Sequence, residues 1–195
     1  MPDSIKTGTG NGGYEAGVNS ANRLDSSCST SPRIYYESRD RENAFGVTTP
    51  HLTVTATGGR ILYIKNTSST QNMVVTDIRI NWNGGSTTWI KSLFFQIWFA
   101  STAPTANNTV GAAGNLNRSS NNTFDLTVNY WDEVGDGMTI ASGSAGFNLI
   151  FAKGSTHLPI GGAMILGAND TISFNLKGEE IGEASVNVRG FMEDK

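Results

Sequence analysis

The sequence predicts an all-β fold, a two-sheet sandwich of jelly-roll type preceded by an extended N-terminal arm. Three observations carry that expectation. Ser, Thr and Asn recur along the 195 residues, with 23 Gly and only 5 Pro, a composition of strands and turns rather than helices. No long window places apolar residues at i, i+3, i+4 and i+7, the spacing an amphipathic helix needs. From Leu52 onward, short stretches of period-two alternation recur between Gly- and Asn-rich turn signals.

Residues 1–51 are expected to form the arm and a linker, and residues 52–195 the sandwich domain. Between Met1 and Thr30 the sizeable apolar residues are Ile5, Tyr14, Val18 and Leu24, too few to offset the chain entropy of ordering. A neighbouring subunit is therefore expected to tie the arm down. In the following stretch, 34–51, Glu37, Arg39, Asp40, Arg41 and Glu42 can support one helical turn. Leu52–Ala56 is the first alternating strand, and Gly58-Gly59 turns the chain into Arg60–Lys65. Asn72–Trp82 alternates again, with Val75, Ile78 and Ile80 among polar residues, and ends at the turn signal Asn83-Gly84-Gly85-Ser86.

Ser92–Ala100 (SLFFQIWFA) is apolar on both faces and reads as a central strand covered on each side, in preference to an exposed binding strip. Ala103–Asn122 has Val110 and Leu116 as its large apolar residues and reads as a long loop, functional or pinned by a partner. A loop there fits a Greek-key crossover better than an up-and-down barrel. Phe124–Tyr130, Phe147–Ala152, Met164–Leu166, Thr171–Lys177 and Ala184–Phe191 complete the strands, enough short segments for a sandwich.

Charge narrows the functions. The net charge is −3 and charged residues make up 16%, so there is no basic footprint for nucleic acid and no charge run for a membrane surface. Leu93–Ala100, the longest apolar cluster, is too short to span a bilayer. Cys28 is the single cysteine, which excludes an internal disulfide and a cysteine-based metal site; in a Ser-rich arm it reads as incidental. The opening MPDSIKTGTG lacks the basic and apolar regions of a signal peptide, so synthesis in a cytosol is expected.

Candidate chemistry is sparse. Asp132, Glu133 and Asp136, next to Gly137, offer oxygen ligands of the kind Ca²⁺ takes, but the spacing is not that of an EF-hand and a solvated turn is the simpler reading. His51 and His157 sit in no nucleophile or metal motif, and the early Gly-x-Gly neither follows a strand nor opens a helix. Glu179 and Glu180 are adjacent, so on a strand end they point to opposite faces and suit glycoside hydrolysis poorly. No catalytic residue, cofactor or metal is expected. Trp82, Trp89, Trp98 and Trp131, with Tyr130, contain the material for a sugar-stacking platform; Trp98 reads as core, and Trp82 and Trp89 as exposed or buried against another subunit. The N-x-S/T triplets at Asn66, Asn107, Asn117, Asn121 and Asn169 read as compositional.

Thr7–Leu24 (TGTGNGGYEAGVNSANRL), Ile61–Asn66 (ILYIKN) and Met73–Ile80 (MVVTDIRI) together resemble virion structural proteins of tailed bacteriophages. Those often open on a Gly-rich phrase ending in ANRL and continue with a strand, a short polar turn and a second strand. A looser likeness links Asn115–Arg118 and Phe124–Val128 to the same proteins, and the pattern departs after Gly85. The resemblance implies a β-rich component of the virion, assembled in the host cytoplasm among other virion proteins, and implies no catalytic residue. The expected role is a capsid decoration or cement subunit, homo-oligomeric and held to its neighbours by the arm, without nucleic-acid or membrane partners. The alternative is a tail-fibre or receptor-binding module that recognises host glycans through the Trp82/Trp89 region.

Overall fold

A computed structural model describes residues 5–6, 15–18, 24–25, 33–39, 41–84, 92–179 and 181–195, with residues 5–6, 15–18, 24–25 and 147 placed in their strands by backbone alone. Cys28, Trp89, Glu180 and the Gly85-Ser86 half of the predicted turn lie outside them. The chain divides into two compact units, Met1–Pro32 and Arg33–Lys195.

In the first unit, β1 (Ile5–Lys6), β2 (Glu15–Val18) and β3 (Leu24–Asp25) pair antiparallel in the order β1-β2-β3. Ile5 lies opposite Ala16, and Gly17 opposite Asp25. The segment expected to be one extended arm thus doubles back twice.

The second unit opens with the short helix α1 (Arg33–Arg39) and the strand β4 (Ala44–Thr48). It therefore starts at Arg33, nineteen residues before the boundary expected at Leu52. The linker reading fails because Ala44, Phe45 and Val47 are core residues and β4 pairs with the last strand of the chain, Asn187 opposite Thr48 and Phe191 opposite Ala44. Alternation over AFGVT is too short and too broken by Gly46 to announce a strand. Arg33 of α1 lies 4.8 Å from the centroid of the Phe191 ring and pairs with Glu193. Glu37, 2% exposed, sits between Arg33 and Arg41 at 3.6 and 3.9 Å.

The remaining strands are β5 (Leu52–Val54), β6 (Gly59–Asn66), β7 (Gln71–Gly84), β8 (Leu93–Phe99), β9 (Asn108–Gly111), β10 (Gly114–Asn115), β11 (Leu126–Trp131), β12 (Ser144–Phe151), β13 (Gly154–Leu166), β14 (Thr171–Gly178) and β15 (Gly182–Asp194). With β4 they form two antiparallel six-stranded sheets. Sheet I runs β10-β4-β15-β7-β13, with β5 also on β15; sheet II runs β12-β8-β14-β6-β11-β9. The chain alternates between the sheets from β6 to β8 and again from β12 to β15. Their pairing is nested: β4 and β5 meet β15, β6 meets β14, β7 meets β13 and β8 meets β12.

The all-β sandwich expected from composition and alternation is the observed fold. One apolar core joins both sheets, with Phe45, Leu52, Ile78, Ile80 and Val186 from sheet I and Leu62, Ile64, Phe95, Ile97 and Phe174 from sheet II. Along β7, Ile78, Ile80 and Trp82 are buried while Arg79, Asn81 and Asn83 are exposed, the period-two signature of a sheet with one solvated face. Strand β8 departs from its expected two-sided burial: Leu93, Phe95 and Ile97 are fully inside, whereas Phe94, Gln96 and Trp98 on the other face are only half-buried. The expected Ala103–Asn122 loop instead carries β9, paired with β11 in sheet II, and β10, paired with β4 in sheet I. It closes the side of the sandwich by touching both sheets.

Candidate functional site

The outer face of sheet II gathers the features with binding potential. Alternation sends Phe95 and Phe174 inward, where their rings stack at 5.8 Å, and so sends Phe94, Gln96, Trp98, Ser173, Asn175 and Lys177 outward. Register sets them in rows. Asn148, Gln96 and Asn175 are mutually opposite across β12, β8 and β14, and the Asn175 amide donates to Gln96 Oε1 at 2.8 Å. Ile150, Phe94 and Lys177 form the next row.

At one end of this face is a polar cluster. The Arg60 guanidinium lies 4.0 Å from the Trp98 ring centroid and donates from Nη1 to Ser173 Oγ at 2.8 Å and to Ser101 Oγ at 3.4 Å. Ser101 and Ser173 share a hydrogen bond of 2.7 Å. Burial lowers the Arg60 pKa from its ordinary value, because desolvation disfavours the charged form. Trp98 offers a face to this cation rather than serving as core, the role expected of it. Its cluster partners are far apart in sequence, so no local pattern announces them.

At the other end lies a groove of about 540 Å³ lined by Ala56, Ser92, Phe94, Ile150, Lys177 and Glu179. Ile150 is 68% exposed there. Glu179 is engaged at the rim, where its carboxylate accepts the Ser92 N–H at 3.0 Å.

Apart from Trp98 and Glu179, the described residues singled out from sequence lie elsewhere. Trp82 is 3% exposed, a core residue of β7 rather than a surface or interface ring; alternation from Ile78 carries it inward. Trp131 is buried and its Nε1 donates to the Val134 carbonyl at 2.9 Å, while Tyr130 packs half-buried against the core. In the acidic loop, Glu133 accepts the Thr53 N–H at 2.6 Å and Asp132 accepts the Val134 N–H at 3.0 Å. Among the described residues no three His, Cys, Asp or Glu side chains are grouped to hold a metal ion. His51 is exposed before β5, and His157 on β13 approaches Asp77 at 3.6 Å. Asn66, one of the N-x-S/T asparagines, is wholly buried.

No protein-family model matches the chain, and no curated protein matches it. No helix among the described residues is long and apolar enough to cross a membrane.

Proposed function

We propose that the chain is a structural protein of a tailed-phage virion, a capsid decoration or cement subunit. Its nested strand pairing is read as a jelly-roll wrap, two Greek keys folded over one core. The observation that carries the proposal is the division of labour along the chain. A sandwich with its own apolar core begins at Arg33, and before it in the chain stands a separate unit of 32 residues whose strands are two to four residues long. Strands that short do not make an independently stable sheet, so the N-terminal unit gains its purpose by lying on something else. In a symmetric shell, many weak main-chain contacts of this kind add up through avidity. Its partners are other virion proteins and further copies of itself, in the virion. The sequence resemblance points the same way.

The glycan-binding alternative loses Trp82 to the core. Binding to purified phage heads tests the proposal. Full-length protein should bind and residues 33–195 alone should not; equal binding by both, or binding by neither, sinks the cement reading. Capture of the full-length chain by host surface glycans instead would favour the receptor-binding module.

A further inference from the structure

We propose that the outer edge of β12 is a self-association surface, on which a second copy of this chain pairs its own β12 antiparallel about a two-fold axis near Asn148. The proposal specifies the surface for the homo-oligomer in the reading above, and rests on that reading only for its biological setting.

Sheet edges are templates for strand addition, and soluble β proteins blunt them with short strands, charges, proline or bulges. The sandwich follows this rule at every long or short edge but one. Strands β5, β9 and β10 have three, four and two residues. Strand β13, the long edge of sheet I, contains Pro159, which has no N–H to offer, and a bulge between Pro159 and Met164 where Gly161 and Gly162 take φ values of 63° and 80°. Strand β12 (SAGFNLIF) has no charge and no proline. A bulge near Ala145 leaves residues 147–151 in regular register on β8, and among the described residues no strand pairs on their other side.

Two features select a second β12 as the occupant. A strand without charge meets itself with no like-charge repulsion, the usual barrier to a two-fold strand pair. The row Asn175–Gln96–Asn148 also ends at this edge, and the Asn148 amide has no partner among the described residues. An amide both donates and accepts, so it complements a copy of itself. Across the axis the row would continue Asn148 to Asn148 and then to the second Gln96, an amide ladder running through one continuous sheet. Ile150, two residues along on the same face, would lie opposite Gly146 of the second strand.

Sedimentation velocity on the full chain over a concentration series tests this. The wild type should populate a dimer. Asn148→Lys, which brings two like charges together at the axis, should move the monomer–dimer midpoint up by at least about tenfold at unchanged thermal stability, because the side chain is exposed in the single subunit. Ile165→Lys, on the exposed side of β13, should leave the dimer intact. As a check that needs no charge, Asn148→Cys in a Cys28→Ser background should form a disulfide-linked dimer on oxidation. A monomeric wild type, or a dimer untouched by Asn148→Lys and not cross-linked through Cys at 148, overturns the proposal. The head-binding assay reads separately: a dimer that ignores heads sinks the cement reading alone, and a monomer that binds them sinks the β12 interface alone.

Discussion

Single polar residues in this sandwich hold turns from within the core. The Asn66 side chain is the clearest case. Its amide donates to the carbonyls of Gln71 at 2.9 Å and Leu166 at 3.0 Å, and its Oδ1 accepts the Ser68 N–H at 3.0 Å. One buried side chain thus ties the β6–β7 turn to the end of β13. Asn66→Ala leaves these backbone groups without partners and should cost about 2–4 kcal/mol in urea unfolding. Tyr63 makes a different prediction. It is 1% exposed, and burial raises its phenol above the ordinary 10.0. The native state therefore keeps a proton that the unfolded chain releases first, so this contribution is complete below about pH 10 and is lost as pH rises through the folded-state value. Tyr63→Phe should flatten the alkaline limb of a stability–pH curve; an unchanged limb would show that other groups govern it.

Elements show the same sheet face from two sides. In β8, Phe95 points to the core against Phe174 and Phe151, while its neighbour Phe94 lines the outer groove. Phe95→Ala should cost about 3–5 kcal/mol through lost burial and the cavity left behind, and Phe94→Ala far less; equal losses would mean that the outer face is as closed as the inner. The loop after β11 depends on two glycines. A Cβ on Gly59 would lie 1.9 Å from the Asp136 carbonyl oxygen, and Gly137, at φ +110°, would bring one within 2.6 Å of Gly59 Cα. This close approach lets Met138 N–H donate to the Arg60 carbonyl at 2.8 Å. Gly137→Ala should lower the melting temperature by several degrees, and loss of amide protection should concentrate around Met138.

At the scale of the molecule, two truncations should behave oppositely. Removing residues 1–32 takes away a unit with little apolar content, so the melting temperature of 33–195 should match that of the full chain. Removing 1–51 also removes α1 and β4, including Phe45 and Val47, each at most 1% exposed, and strips β15 of a hydrogen-bonded neighbour. That shorter protein should fail to fold or melt far lower. A large drop on removing 1–32 alone would show that the N-terminal unit packs on its own sandwich, and would weigh against the assembly reading.

The sequence by itself determined the class of fold and the strands whose patterning is local. Period-two alternation in Asn72–Trp82 and Thr171–Lys177 appears as β7 and β14 because each strand turns its large apolar side chains to the core, and side-chain period is a property of the strand alone. Tertiary structure decided which strands sit at edges, that AFGVT pairs with the C-terminal strand, and that β9 and β10 divide between two sheets. It also decided that Arg60, Trp98, Ser101 and Ser173 share one cluster. Of the candidate site, only the apolar character of SLFFQIWFA was legible beforehand. Its groove and the open edge beside it arise where residues distant along the chain, such as Phe94, Ile150 and Lys177, are brought into register. Such register is set by the nested pairing of the whole chain, and no local pattern encodes it.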